Sequence, residues 1–299
     1  MAEANRGTSV VVAGATGDVG GRIARALVAR GASVTAIVPP GSGGAEKLRA
    51  DGVSVAEADL GSVPDVAKAC AGASCVVSAL SGVRDVIVDA QTTLLDGAVA
   101  AGVPCFIPSD FSIDFTAIPV GSNRNFDLRR EFHERVATRP VRATSIYNGA
   151  FADMLNGQMP LILLPIRRVL HWGDPDREMD FTAKDDTAAF TAAAALDPDA
   201  PRALHIAGDR LSARGLAAAA SEARGVEFKL LQAGTPGLLA AGTLLVRAVY
   251  PAQDQVFPPW QGMQYLHNMV SGEAPLAPLD NDRYPGLTWT SVRDVLRAG

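Results

Sequence analysis

The chain has 299 residues, of which 48% are hydrophobic and 20% are charged, and its formal net charge is -5. This length can bury one large or two smaller cores, and the composition is that of an ordinary globular protein. The net charge is neither strongly basic nor strongly acidic, so neither a nucleic-acid partner nor a membrane partner is expected.

The cysteines and the apolar runs indicate the compartment. Cys70, Cys75 and Cys105 form no CxxC pair and lie in apolar segments, which is typical of a reduced protein. No basic segment followed by a long apolar stretch opens the sequence, so we expect no signal peptide. The most apolar later runs, Met159 to Ile166 and Leu238 to Val246, are shorter than the ~18 residues of a membrane helix. These features predict a cytoplasmic protein without a membrane segment.

The first half of the chain alternates short β-branched runs with alanine-rich helical patterns, which is typical of a parallel sheet covered by helices. The predicted strands are Ser9 to Ala13, Ser33 to Val38, Val53 to Ala56, Cys75 to Ala79, Pro104 to Ile107 and Ala143 to Ile146. The predicted helices begin near Asp18, Gly44, Val63, Val83 and Asn123. The sequence therefore predicts an α/β fold, a Rossmann doubly wound parallel sheet.

The loop after the first strand is rich in glycine and reads Gly14-Ala15-Thr16-Gly17-Asp18-Val19-Gly20. Gly14 permits a tight turn, Gly17 lets the backbone approach a pyrophosphate, and Gly20 allows the helix to pack closely on the strand. The helix then offers N–H groups and a positive dipole end to phosphates. Between a strand and a helix, this loop predicts dinucleotide binding; the alternative is a purely structural turn.

Beyond Gly149 the alternation stops and prolines become frequent. We predict an NAD(P)-binding Rossmann domain over residues 1–149. Residues 150–299 are predicted to form a smaller substrate-binding region that packs directly against that domain.

Several segments carry a family resemblance. The GxxGxxG spacing resembles the atypical and extended short-chain dehydrogenases. Cys105-Phe106-Ile107-Pro108-Ser109-Asp110-Phe111 resembles the "FIPS(D/E)F" segment of the NmrA-like and isoflavone-reductase-like family. The run from Pro278 to Pro285 and the closing Trp289-Thr290-Ser291 are similar to further patterns of that family. The resemblance implies an NAD(P)-dependent oxidoreductase.

The choice between NAD and NADP is open at the end of the second strand. The acid that binds the ribose of NAD is absent after Val38, and so is the arginine that NADPH-dependent members of the family carry. Ser42, Gly43 and Gly44 are candidates for a phosphate-binding turn, with Lys47 or Arg49 supplying charge. A flexible turn and a solvated helix face are the alternative. Because no acid would repel the 2′-phosphate, NADP is favoured.

Further cofactor contacts are expected at the ends of the third, fourth and fifth strands, where open α/β sheets bind their ligands. Asp59 is equally compatible with a turn or a helix cap, and Ser109 and Asp110 with turn and cap chemistry. The candidate cofactor-binding residues are Gly14, Thr16, Gly17, Asp18, Val19, Gly20, Ser42, Lys47, Asp59, Leu60, Ala79, Leu80, Pro108, Ser109 and Asp110.

The catalytic group departs from the pattern of the family. No tyrosine has a lysine four residues later, and where related reductases carry a lysine in a Phe-Glu-Val-Lys pattern this chain reads Phe126-Asp127-Leu128-Arg129. Arginine stays protonated and cannot act as a general base, although it can stabilise a developing oxyanion. A solvated helix arginine is the alternative for Arg129.

Two other side chains are candidates for chemistry. His133, on the same helix face as Arg129, could carry a proton, but a solvated histidine is the favoured interpretation. Tyr147 follows the sixth strand and could touch nicotinamide or substrate; its alternative is a core aromatic. The histidines lack metal-ligand spacing, and no GxSxG hydrolase motif occurs, so neither a metal site nor a serine hydrolase is expected.

The favoured hypothesis is an NAD(P)-dependent reductase of a small aromatic or conjugated carbonyl or ether compound. The alternative is a non-catalytic NmrA-like redox sensor, which the loss of the family lysine favours. The sequence leaves the substrate and the formation of a homo-oligomer open.

Overall fold

The computed structural model describes residues 7–299. Six strands, β1 to β6, form one sheet in which every neighbouring pair runs parallel. In chain order they are Ser9–Ala13, Ser33–Val38, Ser54–Glu57, Cys75–Ser78, Cys105–Ile107 and Arg142–Ala143. Their order across the sheet is β3-β2-β1-β4-β5-β6, which is the order of the Rossmann fold. The predicted doubly wound parallel sheet is confirmed.

The helices that connect these strands also follow the prediction. In chain order α1 to α5 are Asp18–Ala29, Ala45–Ala50, Val63–Ala69, Gln91–Ala100 and Arg124–Ala137. The helix predicted to begin near Val83 begins with a π-helical stretch, Asp85–Ala90, that continues directly into α4. The helical segment that connects β4 to β5 is therefore wider at its start than a regular α-helix.

The strand predicted over Ala143 to Ile146 is divided in the structure. Residues of β6 pair with β5 only as far as Ala143. The next strand, β7 (Ser145–Tyr147), lies in a separate two-stranded sheet with β12 (Ala203–His205). A run of four sheet-forming residues does not reveal where the partner strand changes.

The described chain forms two compact units, each assembled from three segments. The first unit contains the residues up to Asp110, Leu128–Ile146 and Thr187–Leu204. The second contains Phe111–Asp127, Tyr147–Asp186 and His205–Gly299. The division predicted after residue 149 lies near the crossing from Ile146 to Tyr147, and the roles predicted for the two regions stay predictions.

Apolar side chains on one face of the sheet pack with the helices that cover that face. Val11 and Val76 from neighbouring strands pack with Leu94 and Leu95 of α4, and all four are buried. Each such side chain contributes about 1.5–3 kcal/mol on burial. The sheet is thereby held rigidly enough to position the loops at the ends of its strands.

The remaining elements lie mostly in the second unit. Strands β8 to β11 are Ala150–Phe151, Ile162–Leu163, Arg168–Trp172 and Glu178–Thr182, and β13 and β14 are Asp209–Ser212 and Lys229–Gly234. Helices α6 to α10 are Lys184–Ala195, Ala213–Arg224, Pro236–Val249, Pro259–Ser271 and Val292–Ala298. Short 3-10 turns occur at Phe115–Ala117, Ala152–Leu155, Leu164–Ile166 and Asn281–Arg283. The strands form two small sheets, β14-β10-β9 and β13-β11-β8. Within residues 7–299, none of the helices has the length and apolarity to cross a membrane.

At two places in the glycine loop, a glycine lies so close to a backbone carbonyl that there is no room for a Cβ atom. A Cβ on Gly20 would lie 2.2 Å from the carbonyl oxygen of Gly14, and one on Gly14 would lie 2.5 Å from that of Ala79. Gly14 also has a φ of 82°, which disfavours any side chain. Gly17 is different, since its φ is -79° and its Cβ would lie 3.2 Å from the Gly14 oxygen. Gly14 and Gly20 are therefore required by the fold, and Gly17 is not.

This difference predicts unequal effects on stability. Gly20→Ala should lower the free energy of unfolding by about 1–3 kcal/mol, the range for overpacking, because backbone atoms must move. Gly17→Ser should lower it much less, because its Cβ at 3.2 Å needs only a small shift of the Gly14 oxygen and a serine at the N-cap of α1 caps the helix. Urea unfolding of both variants measures the difference. Equal stability of the two would contradict the close approach of α1 to β1.

Candidate cofactor-binding and active site

The first backbone N–H groups of α1 have no partner within the helix, and such groups can bind a phosphate. Gly17 has an extended backbone and no side chain to cap the helix, and its own N–H donates to the Gly14 carbonyl at 3.0 Å. The N–H groups of the next residues begin the helix, where the dipole favours an anion. Asp18 is half exposed and forms an ion pair with Arg22 at 2.7 Å. That pair neutralises the one acidic side chain of the first turn.

The turn after β2 lies against the glycine loop. A Cβ on Gly44 would lie 3.2 Å from Cγ2 of Thr16, so the two segments are in contact. The Oγ atom of Ser42 is buried and has no hydrogen-bond partner within residues 7–299. A buried hydroxyl without a partner costs about 1–3 kcal/mol, so a group that accepts from it would be stabilised there. This arrangement fits a bound phosphate, and Lys47 lies exposed one turn into the following helix.

The candidates at the ends of β3 and β4 have structural partners. Asp59 is exposed, and its Oδ1 accepts from the Gly61 N–H at 2.8 Å. This hydrogen bond is that of a turn residue, which was the predicted alternative to a cofactor contact. Leu60 packs on the core of the first unit. The Ala79 N–H donates to the Ala13 carbonyl at 2.8 Å. These residues therefore shape the rim of the sheet beside the glycine loop.

The segment Pro108 to Asp110, at the end of β5, is fixed by hydrogen bonds from three directions. The buried Gln91 accepts from the Ser109 N–H at 2.9 Å, and Ser109 Oγ donates to the Leu80 carbonyl at 2.7 Å. Nε of Arg129 donates to the Ser109 carbonyl at 3.0 Å. Arg129 is half-buried, so the interpretation as a freely solvated helix arginine is wrong. Its guanidinium is anchored at the carboxyl end of β5.

Asp110 and His133 form a buried, hydrogen-bonded pair. The carboxylate of Asp110 is fully buried and lies 2.6 Å from Nε2 of His133, whose side chain is 16% exposed. The favoured interpretation of His133 as a solvated histidine is therefore wrong. Burial raises the pKa of Asp110, but its interactions with His133, a hydrogen bond from Ser145 and the charge of Arg129 outweigh it. The pKa of Asp110 is held below its usual value, and the group is a carboxylate at neutral pH.

The other ring nitrogen of His133 faces a guanidinium. Nη2 of Arg202 lies 3.4 Å from Nδ1 of His133, and Nη1 donates to Ser145 Oγ at 2.6 Å. Because arginine has only donors, Nδ1 acts as the acceptor and the Nε2–H donates to Asp110. Both nitrogens of His133 are engaged, so the ring serves better as part of a hydrogen-bond network than as a proton carrier.

Tyr147 lies in an aromatic cluster of the second unit. It is 2% exposed, and its ring stacks on that of His205 with centroids 5.3 Å apart. It also meets Phe115 edge-on at 5.5 Å. The core-aromatic alternative accounts for these contacts.

His205, the stacking partner of Tyr147, is not among the residues predicted from the sequence. Nε2 of His205 lies 3.0 Å from Oδ2 of Asp114. His205 occurs in a short strand with no spacing to any other candidate, so no local pattern indicated it. Asp114 lies four residues after Asp110 in the sequence, and this short separation was the one feature that could have pointed to Asp114 as a further site residue.

Comparison with known proteins gives the family. The NmrA-like family matches residues 7–239. Pinoresinol reductase 1 of Arabidopsis thaliana is 31% identical over 208 residues, which cover 64% of this chain and 65% of that protein. A structure described as AtPrR2 with NADP+ and (+)pinoresinol superposes with a TM-score of 0.82 at 20% identity, covering 97% of this chain and 98% of the other. A crystal structure of isoflavone reductase superposes with the same TM-score of 0.82 at 19% identity, covering 97% and 99%. As its sequence motifs predicted, the chain belongs to the NmrA-like family.

Proposed function

We propose that this protein is an NADPH-dependent reductase of small aromatic or conjugated carbonyl or ether compounds. The observation that carries the proposal is the glycine loop, with the buried, unpartnered Ser42 Oγ beside it. The 31% identity to a pinoresinol reductase supports both the reaction type and the aromatic substrate. NADP+ in the superposed AtPrR2 structure supports the cofactor.

The residues present fit a dinucleotide. The N–H groups of Asp18, Val19 and Gly20 at the start of α1 would hold the pyrophosphate, with Gly17 leaving space for it. Ser42 would donate to the 2′-phosphate, with Lys47 adding charge. The predicted contacts of Thr16, Asp59, Leu60, Ala79, Leu80, Pro108, Ser109 and Asp110 are part of the proposal. When bound, NADPH supplies a hydride to the substrate.

Arg129 is proposed to stabilise negative charge on the substrate oxygen. Its anchored Nε holds the guanidinium at the end of β5, where open α/β sheets bind their ligands. The fixed positive charge suits an oxygen that gains charge as the hydride arrives. It cannot supply the proton itself at neutral pH.

We propose a different binding role for each of the two units. The first unit is proposed to bind the dinucleotide, and the second, which contains most of residues 150–299, to bind the substrate. The three buried free cysteines support the proposal of a reducing, cytoplasmic location.

The second candidate is a dinucleotide sensor without turnover. It is favoured by one observation, the arginine at position 129 where related reductases carry a lysine. The sensor would bind NADPH at the same loop, so binding alone does not separate the two functions.

Cofactor choice gives the first test. Ser42→Ala should lower NADPH affinity by about tenfold, the loss of one hydrogen bond to a charged group, and leave NADH affinity unchanged. Gly17→Ser should weaken both nucleotides, because its side chain enters the pyrophosphate space. Fluorescence titration measures all four affinities, with Lys68→Ala as the control because Lys68 is an exposed helix lysine of the same unit. Tighter binding of NADH than of NADPH to the wild-type protein would contradict the phosphate site at Ser42.

Substitution of Arg129 separates enzyme from sensor. Arg129→Ala should lower turnover by about 10²-fold or more, the scale for removing one oxyanion donor, with little effect on NADPH affinity. Arg129→Lys should retain or raise turnover, since lysine can exchange a proton. NADPH oxidation with a panel of aromatic carbonyls and ethers is the measurement. Turnover by Arg129→Lys alone, with none by the wild type, would identify the natural protein as a sensor.

A further inference from the structure

Two of the three cysteines lie side by side in the sheet of the first unit. Cys75 is the first residue of β4 and Cys105 is the first residue of β5, and the two are register partners in that parallel pair of strands. Residues in register on neighbouring strands point to the same face of a sheet. Both side chains are buried, and their Sγ atoms lie 2.8 Å apart. The two thiols are therefore in direct contact.

This thiol pair is separate from the candidate cofactor site. It lies at the amino ends of β4 and β5, whereas the glycine loop and Ser109 follow the carboxyl ends of β1 and β5. Within residues 7–299, no three His, Cys, Asp or Glu side chains are arranged to hold a metal ion. A pair of touching thiols without further metal ligands is suited to oxidation to a disulfide.

A guanidinium beside the pair makes Cys105 the more reactive thiol. Arg142, the first residue of β6, is the register partner of Cys105 on its other side, so its side chain lies on the same face. A hydrogen bond from Cys75, together with the charge and a hydrogen bond of Arg142, lowers the pKa of Cys105 although burial raises it. Burial raises the pKa of Cys75, and it raises the pKa of Cys70 to about 11. Cys105 therefore has the largest thiolate fraction of the three.

The position of β6 gives a small oxidant access to Cys105. β6 has two residues and lies at the edge of the six-stranded sheet. Arg142 is half-buried, and its guanidinium donates to the Ala200 carbonyl at 3.0 Å and to the Asp197 carbonyl at 3.1 Å. A short edge strand opens more readily than the strands in the middle of a sheet. A molecule as small as hydrogen peroxide can enter there, whereas a bulky reagent is excluded.

We propose that Cys75 and Cys105 are a redox modification site, at which a hydroperoxide converts the two thiols into a disulfide. The thiolate of Cys105 attacks one peroxide oxygen and the O–O bond breaks, which leaves a sulfenic acid on Cys105. The departing alkoxide, or hydroxide from hydrogen peroxide, takes up the proton that Cys105 had released. The sulfur of Cys75 then attacks that of Cys105, the S–O bond breaks, and water leaves with the thiol proton. The two thiols lose two electrons, and the peroxide gains them.

The sheet already has the spacing that this bond requires. Neighbouring strands lie about 4.7–4.9 Å apart, within the roughly 4.4–6.8 Å that separates the Cα atoms of linked cysteines. The Sγ atoms, now 2.8 Å apart, need to approach to about 2.05 Å. Cys70 lies elsewhere, since it packs with Val76 and Phe106, whose side chains alternate with those of the pair and point to the other face. The fold therefore selects one pair among the three cysteines.

Oxidation of the reduced, full-length protein with hydrogen peroxide tests the site. Thiols that remain are alkylated after denaturation, and peptide mapping by mass spectrometry locates any link. We expect two of the three thiols to be lost, a linked Cys75–Cys105 peptide, and full recovery with dithiothreitol. The loss at Cys105 should be at least about tenfold faster than at Cys70, because the thiolate fraction outweighs the lower nucleophilicity of an acidic thiol.

Two variants separate the pair from the third cysteine. Cys75→Ala should yield a sulfenic acid on Cys105, which dimedone traps, and no disulfide. Cys70→Ala is the matched control, because it removes a buried cysteine of the same unit outside the pair and should leave the link unchanged. In concentrated urea, where the register of the strands is lost, the preference for the Cys75–Cys105 link should disappear.

Three results would overturn the inference: a link that involves Cys70, equal rates of oxidation at all three cysteines of the folded protein, or three thiols that survive the peroxide. The peptide map of the wild-type protein decides the first and needs no substitution, so the test stands if a variant does not fold. None of these measurements involves NADPH or a substrate. The result is therefore independent of the proposed reductase activity.

Discussion

The helix α1 begins so close to the end of β1 that the site depends on the absence of two Cβ atoms. At Gly20 such an atom would lie 2.2 Å from the Gly14 carbonyl oxygen, inside any permitted contact. This approach brings the first-turn N–H groups to the edge of the sheet, beside the ends of β2 and β4. The proposed contacts of Ser42 and Ala79 with a dinucleotide depend on the helix starting there.

Buried charge is concentrated just after β5. Asp110 and Asp114 both lie within this segment, and each keeps its negative charge because a histidine and further donors compensate for burial. The two pairs differ in what surrounds the histidine. Arg202 and Asp110 hold His133 in a hydrogen-bond network at the end of β5. His205 instead contacts the carboxylate of Asp114 and the ring of Tyr147.

The sequence predicted the fold and the loop better than the chemistry. The sheet, the helix starts and the roles of Gly14 and Gly20 depend on local patterns, and local patterns are what a sequence displays. The division of the strand at Thr144 and the burial of His133 depend on partners far along the chain. His205 could not be predicted, because Asp114 is 91 residues away and only folding brings the two together. The same limit applied to Ser42, whose burial a turn sequence does not reveal.

The proposed function rests on the transfer of a hydride from bound NADPH to an aromatic substrate. The measurement uses NADPH with both hydrogens at C4 of the nicotinamide replaced by deuterium, followed by mass spectrometry of the product formed from an aromatic carbonyl or ether. We predict one deuterium per product molecule, carried on the carbon that was bonded to oxygen. A product without deuterium, or tight NADPH binding with no product from any substrate tested, would contradict the proposed function.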